Sequence, residues 1–496
     1  MNPENNQKSF GHIIKASAII GTGSAAFIIS GIIKNKVMAM LLGPAGIGFF
    51  GLLQSVMSTS GTIAGMGLSN SGVREIAEVH ATGNAKQLTA TRNALRISAV
   101  ALGLLGAIIL VVFRRPIAKL AIGDYGYAGA IAWMGIGVWA TTVSGSQTAL
   151  LNGFRHLGDL ARVNIIGAVS SMVTAVIAVW LWGLNGVIVA VVSMPFFALG
   201  ASWWFSHKIK TTKIRLSWRA IIEPLKKIFG LGFILMSTGL MAVGTQLVVR
   251  IIVTRSLGIN ATGHFLAAWS ISMIYLGFVL GAMGTDYYPR LTAVAKDSTA
   301  TNKMVNEQTE VALLLSGPVI LGMLTFAPQL INLLYSQNFT ETNDILRWQI
   351  LGDLFKVGTW TTGFIILAQG RGRIFFFTEL FWNLIYILFI LVGLKEIGLK
   401  VTGIAFFLAY VLLFLTNWII AKQLTDFTWD YNNKVLFAIL AIFSGIVFFS
   451  RFISEYSSII IGATVTLITG SYSVVKISRS VGGISLGKLN SFFKLK

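Results

Sequence analysis

The chain has 496 residues, of which 55% are hydrophobic and only 11% charged, with a mean hydropathy of +0.75 and a formal net charge of +21. This composition excludes a string of water-soluble domains and points to a polytopic membrane protein, whose apolar stretches of about 20 residues cross a hydrocarbon core of roughly 30 Å as helices. The lack of cysteine excludes disulfides, thiolate metal sites and a cysteine nucleophile; the five histidines (His12, His80, His156, His207, His264) show no ligand spacing, so no metal or other cofactor is expected.

The stretches are apolar all round, without the alternation of an outer-membrane barrel. Helices must therefore satisfy the backbone in lipid, and the expected fold is an all-α bundle. A polar N-terminus, 1–10, leads into a first span over 11–42 that has no small-residue cleavage site and exceeds the length of a signal-peptide core. Further spans are expected near 45–70, 94–113, 127–150, 163–182, 185–206, 228–254, 262–285, 309–330, 349–368, 374–394, 401–421, 434–450 and 457–475, about fourteen in all. With the N-terminus inside, roughly two thirds of the 39 Lys and Arg fall to inner segments and about a fifth to outer ones. Both termini are expected in the cytoplasm, and the net charge reads as topological rather than as a nucleic-acid surface.

Among the Lys and Arg within spans are Lys34, Lys36, Arg96, Arg250 and Lys356. A charge at mid-membrane costs at least about 2.5–3.5 kcal/mol and calls for a partner or water. Lys34 and Lys36 stand in the outer half of span one, shortly before Gly43; Arg250 stands in span seven at a similar distance before Gly258. They are the candidate cationic lining of a cleft, with snorkelling to the outer interface as the plainer alternative and the better reading for Arg255.

The heaviest inner segment, 207–227, carries Lys208, Lys210, Lys213, Arg215, Arg219, Lys226 and Lys227. It reads as a linker between an N-lobe, 1–206, and a C-lobe, 228–425, each of six spans; 426–496 adds two helices and a basic tail. The linker charge anchors topology or attracts anionic lipid. An internal repeat supports the division, because 41–79 overlies 256–295 with one single-residue shift. Leu42, Gly43, Gly48 and Phe50 fall on Leu257, Gly258, Gly263 and Phe265; after the shift Gly61, Gly65, Ser69, Asn70 and Arg74 fall on Gly277, Gly281, Thr285, Asp286 and Arg290. Lobes with even numbers of spans share one orientation, which predicts a parallel repeat around a central cavity. The G-x-x-x-G in each copy serves helix packing first and bending second.

Span ten holds Asp353 and Lys356, three apart and so on one helical face. They form either a neutralising pair or a proton or cation site, and Glu379 in span eleven, with Arg74, Asp286 and Arg290, makes up the secondary candidates. Trp203, Trp204, Trp429 and Tyr431 read as interfacial anchors rather than sugar platforms. The tail segment 482–488 spells G-x-x-x-x-G-K, but Leu489 replaces the magnesium-binding Ser or Thr and no strand precedes it. With no zinc motif or G-x-S-x-G elbow either, no enzyme is expected.

The turn 41–50, Leu-Leu-Gly-Pro-Ala-Gly-Ile-Gly-Phe-Phe, resembles the first outer turn of polysaccharide transporters in the multidrug/oligosaccharidyl-lipid/polysaccharide (MOP) exporter superfamily. The stretch 338–358, Asn-Phe-Thr-Glu-Thr-Asn-Asp-Ile-Leu-Arg-Trp-Gln-Ile-Leu-Gly-Asp-Leu-Phe-Lys-Val-Gly, is similar to the corresponding stretch of lipid III flippases of enterobacterial common antigen synthesis and of related O-antigen translocases. Segments 151–155 and 288–292 extend the resemblance over roughly residues 11–425. It implies a V-shaped pair of six-helix lobes that moves undecaprenyl-diphosphate-linked oligosaccharide, such as an O-antigen or common-antigen unit, from the cytoplasmic to the periplasmic leaflet of the bacterial inner membrane by alternating access. Family cavities are cationic, and basic family positions fall on Lys36 and Arg250; Asp353 and Lys356 lie in the span-ten motif. The implied partners are the lipid-linked glycan, membrane lipids, H+ or Na+, and polysaccharide polymerase machinery, with no nucleic acid. One departure is that 434–475 adds two spans to the twelve of the family core. A peptidoglycan lipid-precursor flippase and a cation-coupled multidrug exporter are the alternatives in the superfamily, and a membrane scaffold the alternative outside it. Paired cations argue against the exporter, whose cleft should favour acids.

Overall fold

The computed structural model describes residues 3–209 and 218–480, with side chains over 23–209 and 222–479 apart from 278, 285 and 455; linker residues 210–217 and the glycine motif 482–488 lie outside them. Among the described residues there are helices and no strands. In chain order they are α1 (Pro3–Gly65), α2 (Leu68–Thr82), α3 (Ala85–Val112), α4 (Arg114–Ala121), α5 (Ala128–Gly153), α6 (Leu157–Trp182), α7 (Gly186–His207) and α8 (Trp218–Leu257). There follow α9 (Ile259–Val294), α10 (Ser298–Thr325), α11 (Ala327–Leu334), α12 (Thr342–Ala368), α13 (Gly372–Ile397), α14 (Val401–Thr425), α15 (Tyr431–Ser450) and α16 (Glu455–Ser480).

Ten stretches are long and apolar enough to cross a membrane, and two of them, Leu157–His207 and Gly372–Thr425, each contain two helices. The helix Ala128–Gly153, diluted by Gly, Thr and Ser, is not among the ten. Large apolar side chains such as Trp180, Trp204, Val392 and Leu467 are exposed, as a surface solvated by lipid requires. Trp203 and Tyr431 are exposed as well. Trp429 departs from the interfacial reading: it is 4% exposed and packs on Phe414, Trp418 and Phe437, because it lies in the short return between α14 and α15 that folds against the helices.

The chain forms two compact units, residues 1–266 with 334–338, and residues 267–333 with 339–496. In the first, α6 packs on α7 and α1, and α5 on α3, α7 and α2, around Leu68, Ile76, Leu95, Leu150 and Leu151. Helix α8 also packs here, on α1, α2 and α3. In the second, α12 packs on α14, and α10 on α16, α12 and α15, around Tyr287, Leu291, Ile365 and Phe427.

Gly43 leaves the helical region with a positive φ of 64°, and Pro44 restarts α1, where a missing N–H costs little. Its counterpart in the repeat, Gly258, has φ 89° between α8 and α9. The two copies then meet in reciprocal register. A Cβ at Gly48 would be driven into the Ile259 carbonyl oxygen, and one at Gly263 into the Pro44 carbonyl oxygen. A Cβ at Gly51 would collide with the Leu266 side chain. The repeat thus makes a backbone-to-backbone contact with itself, which only glycine permits.

Polar links fasten the last two helices. Asn306 of α10 donates to the Thr428 carbonyl at 2.9 Å and accepts from the Asp430 amide at 2.8 Å and from Asn433 at 3.0 Å. At the other end of α15, buried Arg347 of α12 donates to the Val447 carbonyl at 2.9 Å, in the last helical turn where a cation is favoured. Asp344 accepts from Arg451 at 2.6 Å, and Lys476 of α16 pairs with Glu310 of α10.

Candidate functional site

In the first unit, two of the in-span cations, Lys34 and Arg250, meet one stretch of α1, while Arg96 of α3 lies over the Trp203 ring, 5.7 Å from its centroid. The Lys34 ammonium sits over the Phe50 ring, 4.7 Å from its centroid. Arg250, 8% exposed, donates from Nη1 to the Gly51 carbonyl at 2.8 Å and to Ser55 Oγ. Lys34 and Arg250 therefore both address the turns from Phe50 to Ser55, although they stand on opposite sides of the Gly43 break and of the linker. Lys36 is half-buried on α1. Arg255 is exposed and donates to the Lys119 carbonyl at 2.8 Å, the behaviour of a side chain near a helix end.

On α2, exposed Arg74 precedes Glu75, which is 8% exposed and lies 4.0 Å from the Lys227 ammonium of α8. Burial lifts the Glu75 carboxyl above the usual carboxylate range; Lys227 opposes this, Glu78 reinforces it, and Arg74 opposes it weakly. Glu75 is beyond the expected end of span two, and it shares a crevice with Lys86, Gln87 and Glu223.

In the second unit Asp353 is fully buried. Its Oδ2 accepts from Ser272 Oγ at 2.8 Å and from the Tyr275 hydroxyl at 2.7 Å, both on α9, while Oδ1 has no hydrogen-bond partner among the described residues. Lys356 shares its helical face but closes no direct ion pair with it. The ammonium instead meets Met273 Sδ at 3.3 Å and the faces of Phe406 and Tyr410, 5.9 and 5.6 Å from their centroids. Glu379, half-buried on α13, lines the same cavity as Lys356. Asp286 and Arg290 pair with each other at 3.0 Å on the exposed face of α9, the ordinary behaviour of opposite charges four residues apart on a helix.

Sequence reasoning missed Ser272, Tyr275, Trp382, Tyr410 and Asn417. Hydroxyl, aromatic and amide residues in apolar helices carry no pattern that marks them until a buried charge is placed beside them. Arg347 was missed for a different reason: it stands just ahead of the expected span ten and so was not counted among the in-span charges, and only the fold brings the end of α15 to it.

The profile of a family described as polysaccharide biosynthesis protein matches residues 37–344. A lipid III flippase of Escherichia coli (strain K12) is 24% identical over 378 residues, which cover 74% of this chain and 88% of that protein. The lipid III flippase of Shigella flexneri aligns to the same extent. Among solved structures, an inward-facing multidrug resistance MATE family transporter of the MOP superfamily superposes with a TM-score of 0.68 at 18% identity, over 81% of this chain and 96% of its own. The lipid II flippase MurJ, in an inward closed conformation, superposes with a TM-score of 0.67 at 17% identity, over 94% and 100%. These two structural likenesses establish the MOP transporter fold.

Proposed function

Because the chain belongs to the polysaccharide biosynthesis protein family, we propose that it is a multi-pass flippase carrying undecaprenyl-diphosphate-linked oligosaccharide from the cytoplasmic to the periplasmic leaflet of the bacterial inner membrane. The observation that carries this reading is the relationship to a lipid III flippase over 88% of that protein's length. On this reading the protein moves its substrate and changes no covalent bond in it.

The physical task is to carry a diphosphate of about two negative charges through a medium that cannot hydrate it, at a cost of several kcal/mol per ion unless charge and hydrogen bonds replace the water. Lys34, Lys36 and Arg250 are the groups proposed to do so. Each carries a positive charge within an apolar span, and two of them sit around Phe50–Ser55. Opening to one leaflet at a time lets the headgroup pass while the polyprenyl tail stays in lipid. An inside-negative potential favours outward movement by about 2.3 kcal/mol per charge per 100 mV, so a gradient already present can drive the cycle. Asp353, held by Ser272 and Tyr275, is the proposed position for H+ or Na+ coupling. A polymerase that joins delivered units at the periplasmic face is the proposed downstream partner.

Proteoliposomes holding fluorescent lipid-linked glycans test the reading. Wild type is expected to translocate undecaprenyl-diphosphate oligosaccharide, and Lys36→Ala to slow it about tenfold. Failure of wild type to move any such glycan removes the function. Preferred transport of a peptidoglycan lipid precursor or of a cationic drug installs the corresponding alternative. Unchanged rates in Lys36→Ala, Arg250→Ala and their combination leave the function and remove the cation assignment.

A further inference from the structure

The second unit contains a cavity of about 220 Å³ that the cationic reading does not use. It lies among α12, α13 and α14, lined by Lys356, Trp360, Glu379, Trp382, Tyr410 and Asn417. This is below the roughly 300–1,000 Å³ of drug-sized sites, so it suits one small ring and not a chain.

Its wall combines aromatic faces with unsatisfied polar atoms. Trp382 and Tyr410 stand with ring centroids 5.0 Å apart and planes at 50°. Trp382 is 8% exposed and its Nε1 has no hydrogen-bond partner among the described residues; Asn417 is 4% exposed and the same is true of its Oδ1. Lys356 adds an ammonium whose hydrogen-bond partner is a thioether, and Glu379 adds a carboxylate. Two donors and two acceptors thus surround one aromatic surface. A buried polar atom left unpaired costs about 1–3 kcal/mol, so this arrangement favours an occupant that pairs them.

The occupant's chemistry follows by elimination. An apolar ligand would leave Trp382 Nε1 and Asn417 Oδ1 unpaired. A metal cation would face an ammonium and an indole N–H, and a phosphate would face the Glu379 carboxylate. A pyranose has an apolar C–H face for the aromatic rings and a rim of hydroxyls that donate and accept in turn. We propose that this cavity is a subsite for a single sugar ring of the lipid-linked glycan, with Trp382 and Tyr410 as stacking faces and Lys356, Glu379, Asn417 and Trp382 Nε1 as hydroxyl partners. The proposal rests on the flippase reading and deepens it. The cavity reaches Leu367 and Phe375, close to the turn between α12 and α13, which is cytoplasmic in the proposed orientation; the ring is therefore engaged on the loading side.

The test compares two probes on the full-length protein in lipid nanodiscs: undecaprenyl diphosphate, and the same lipid bearing one N-acetylglucosamine or one galactose. Wild type is expected to bind a glycosylated probe about tenfold tighter than the bare lipid. Glu379→Gln and Asn417→Ala should each cut that ratio at least about threefold, and Trp382→Phe should preserve more of it than Trp382→Ala. Glu379→Gln keeps the side-chain shape and carries the test alone if Asn417→Ala aggregates. Equal binding of bare and glycosylated probes by wild type, as a water-filled cavity would give, or an unaltered ratio in Glu379→Gln, overturns the subsite and leaves the flippase reading standing. Failure of wild type to bind any of the lipids overturns both.

Discussion

Arg250 carries both a packing load and the proposed substrate charge, and the two can be separated. Its guanidinium bonds to the Gly51 carbonyl and Ser55 hydroxyl while nearly out of contact with solvent, so Arg250→Ala loses charge-assisted hydrogen bonds worth roughly 1.5–3 kcal/mol. Arg250→Lys keeps the charge but not the planar fork, and it is expected to lower the thermal unfolding temperature while retaining more transport than Arg250→Ala. Equal loss of transport in both variants would assign Arg250 to packing alone. Glu75 offers a pH test. Its carboxyl is raised by burial in the folded protein, so the stability it contributes is fully present below the unfolded carboxylate pKa and is lost as pH rises through the folded value. Glu75→Gln, which cannot ionise, should melt at a higher temperature than wild type at pH 8, with the gap closing by pH 4. A gap that is larger at pH 4 would reverse the assignment.

At the level of elements, the contact between the two repeat copies is the sharpest constraint. Gly48 and Gly263 each face a backbone carbonyl, which has no rotamer by which to yield, so Gly48→Val or Gly263→Val must push α1 and α9 apart. Each is expected to cost several kcal/mol or prevent folding, whereas Gly31→Val, with open space at the Cβ, should be tolerated. Melting curves of the three variants in detergent decide this; equal melting temperatures would dismiss the contact. The repeat was legible in the sequence because Gly43 and Gly258, and Gly48 and Gly263, are constrained by backbone conformation and close approach, which select glycine regardless of surroundings. The neighbours of Asp353 were not legible. The spacing Asp353–Lys356 places two side chains on one face but says nothing of which group captures each; Ser272 and Tyr275 reach Asp353 from a helix distant in sequence.

For the whole molecule, hydropathy made the all-helical class readable, since a membrane span is an average over some 20 residues and survives individual exceptions. The distribution of Lys and Arg makes a further statement about orientation. Because the chain has no cysteine, single introduced cysteines report on it directly. Asp124→Cys, at an exposed position expected outside, should react with a membrane-impermeant maleimide in intact cells with the outer membrane permeabilised. Lys86→Cys, exposed and expected inside, should react only after the inner membrane is opened. The opposite pattern would invert the topology. The sequence predicts two helices, now seen as α15 and α16, beyond the twelve expected of the core, without saying what they do. Their attachment answers part of that: Arg347, Asn306 and Glu310 each direct a polar group toward α15, α16 or the return before them. A chain truncated after Thr425 would not be a leaner version of the same machine. It would leave a guanidinium, an amide and a carboxylate toward the N-terminal ends of α12 and α10 stripped of the groups they bond, a species for membrane quality control to remove. The terminal pair is part of the folding unit, and a lineage could shed it only by rewriting α10 and α12 at the same time.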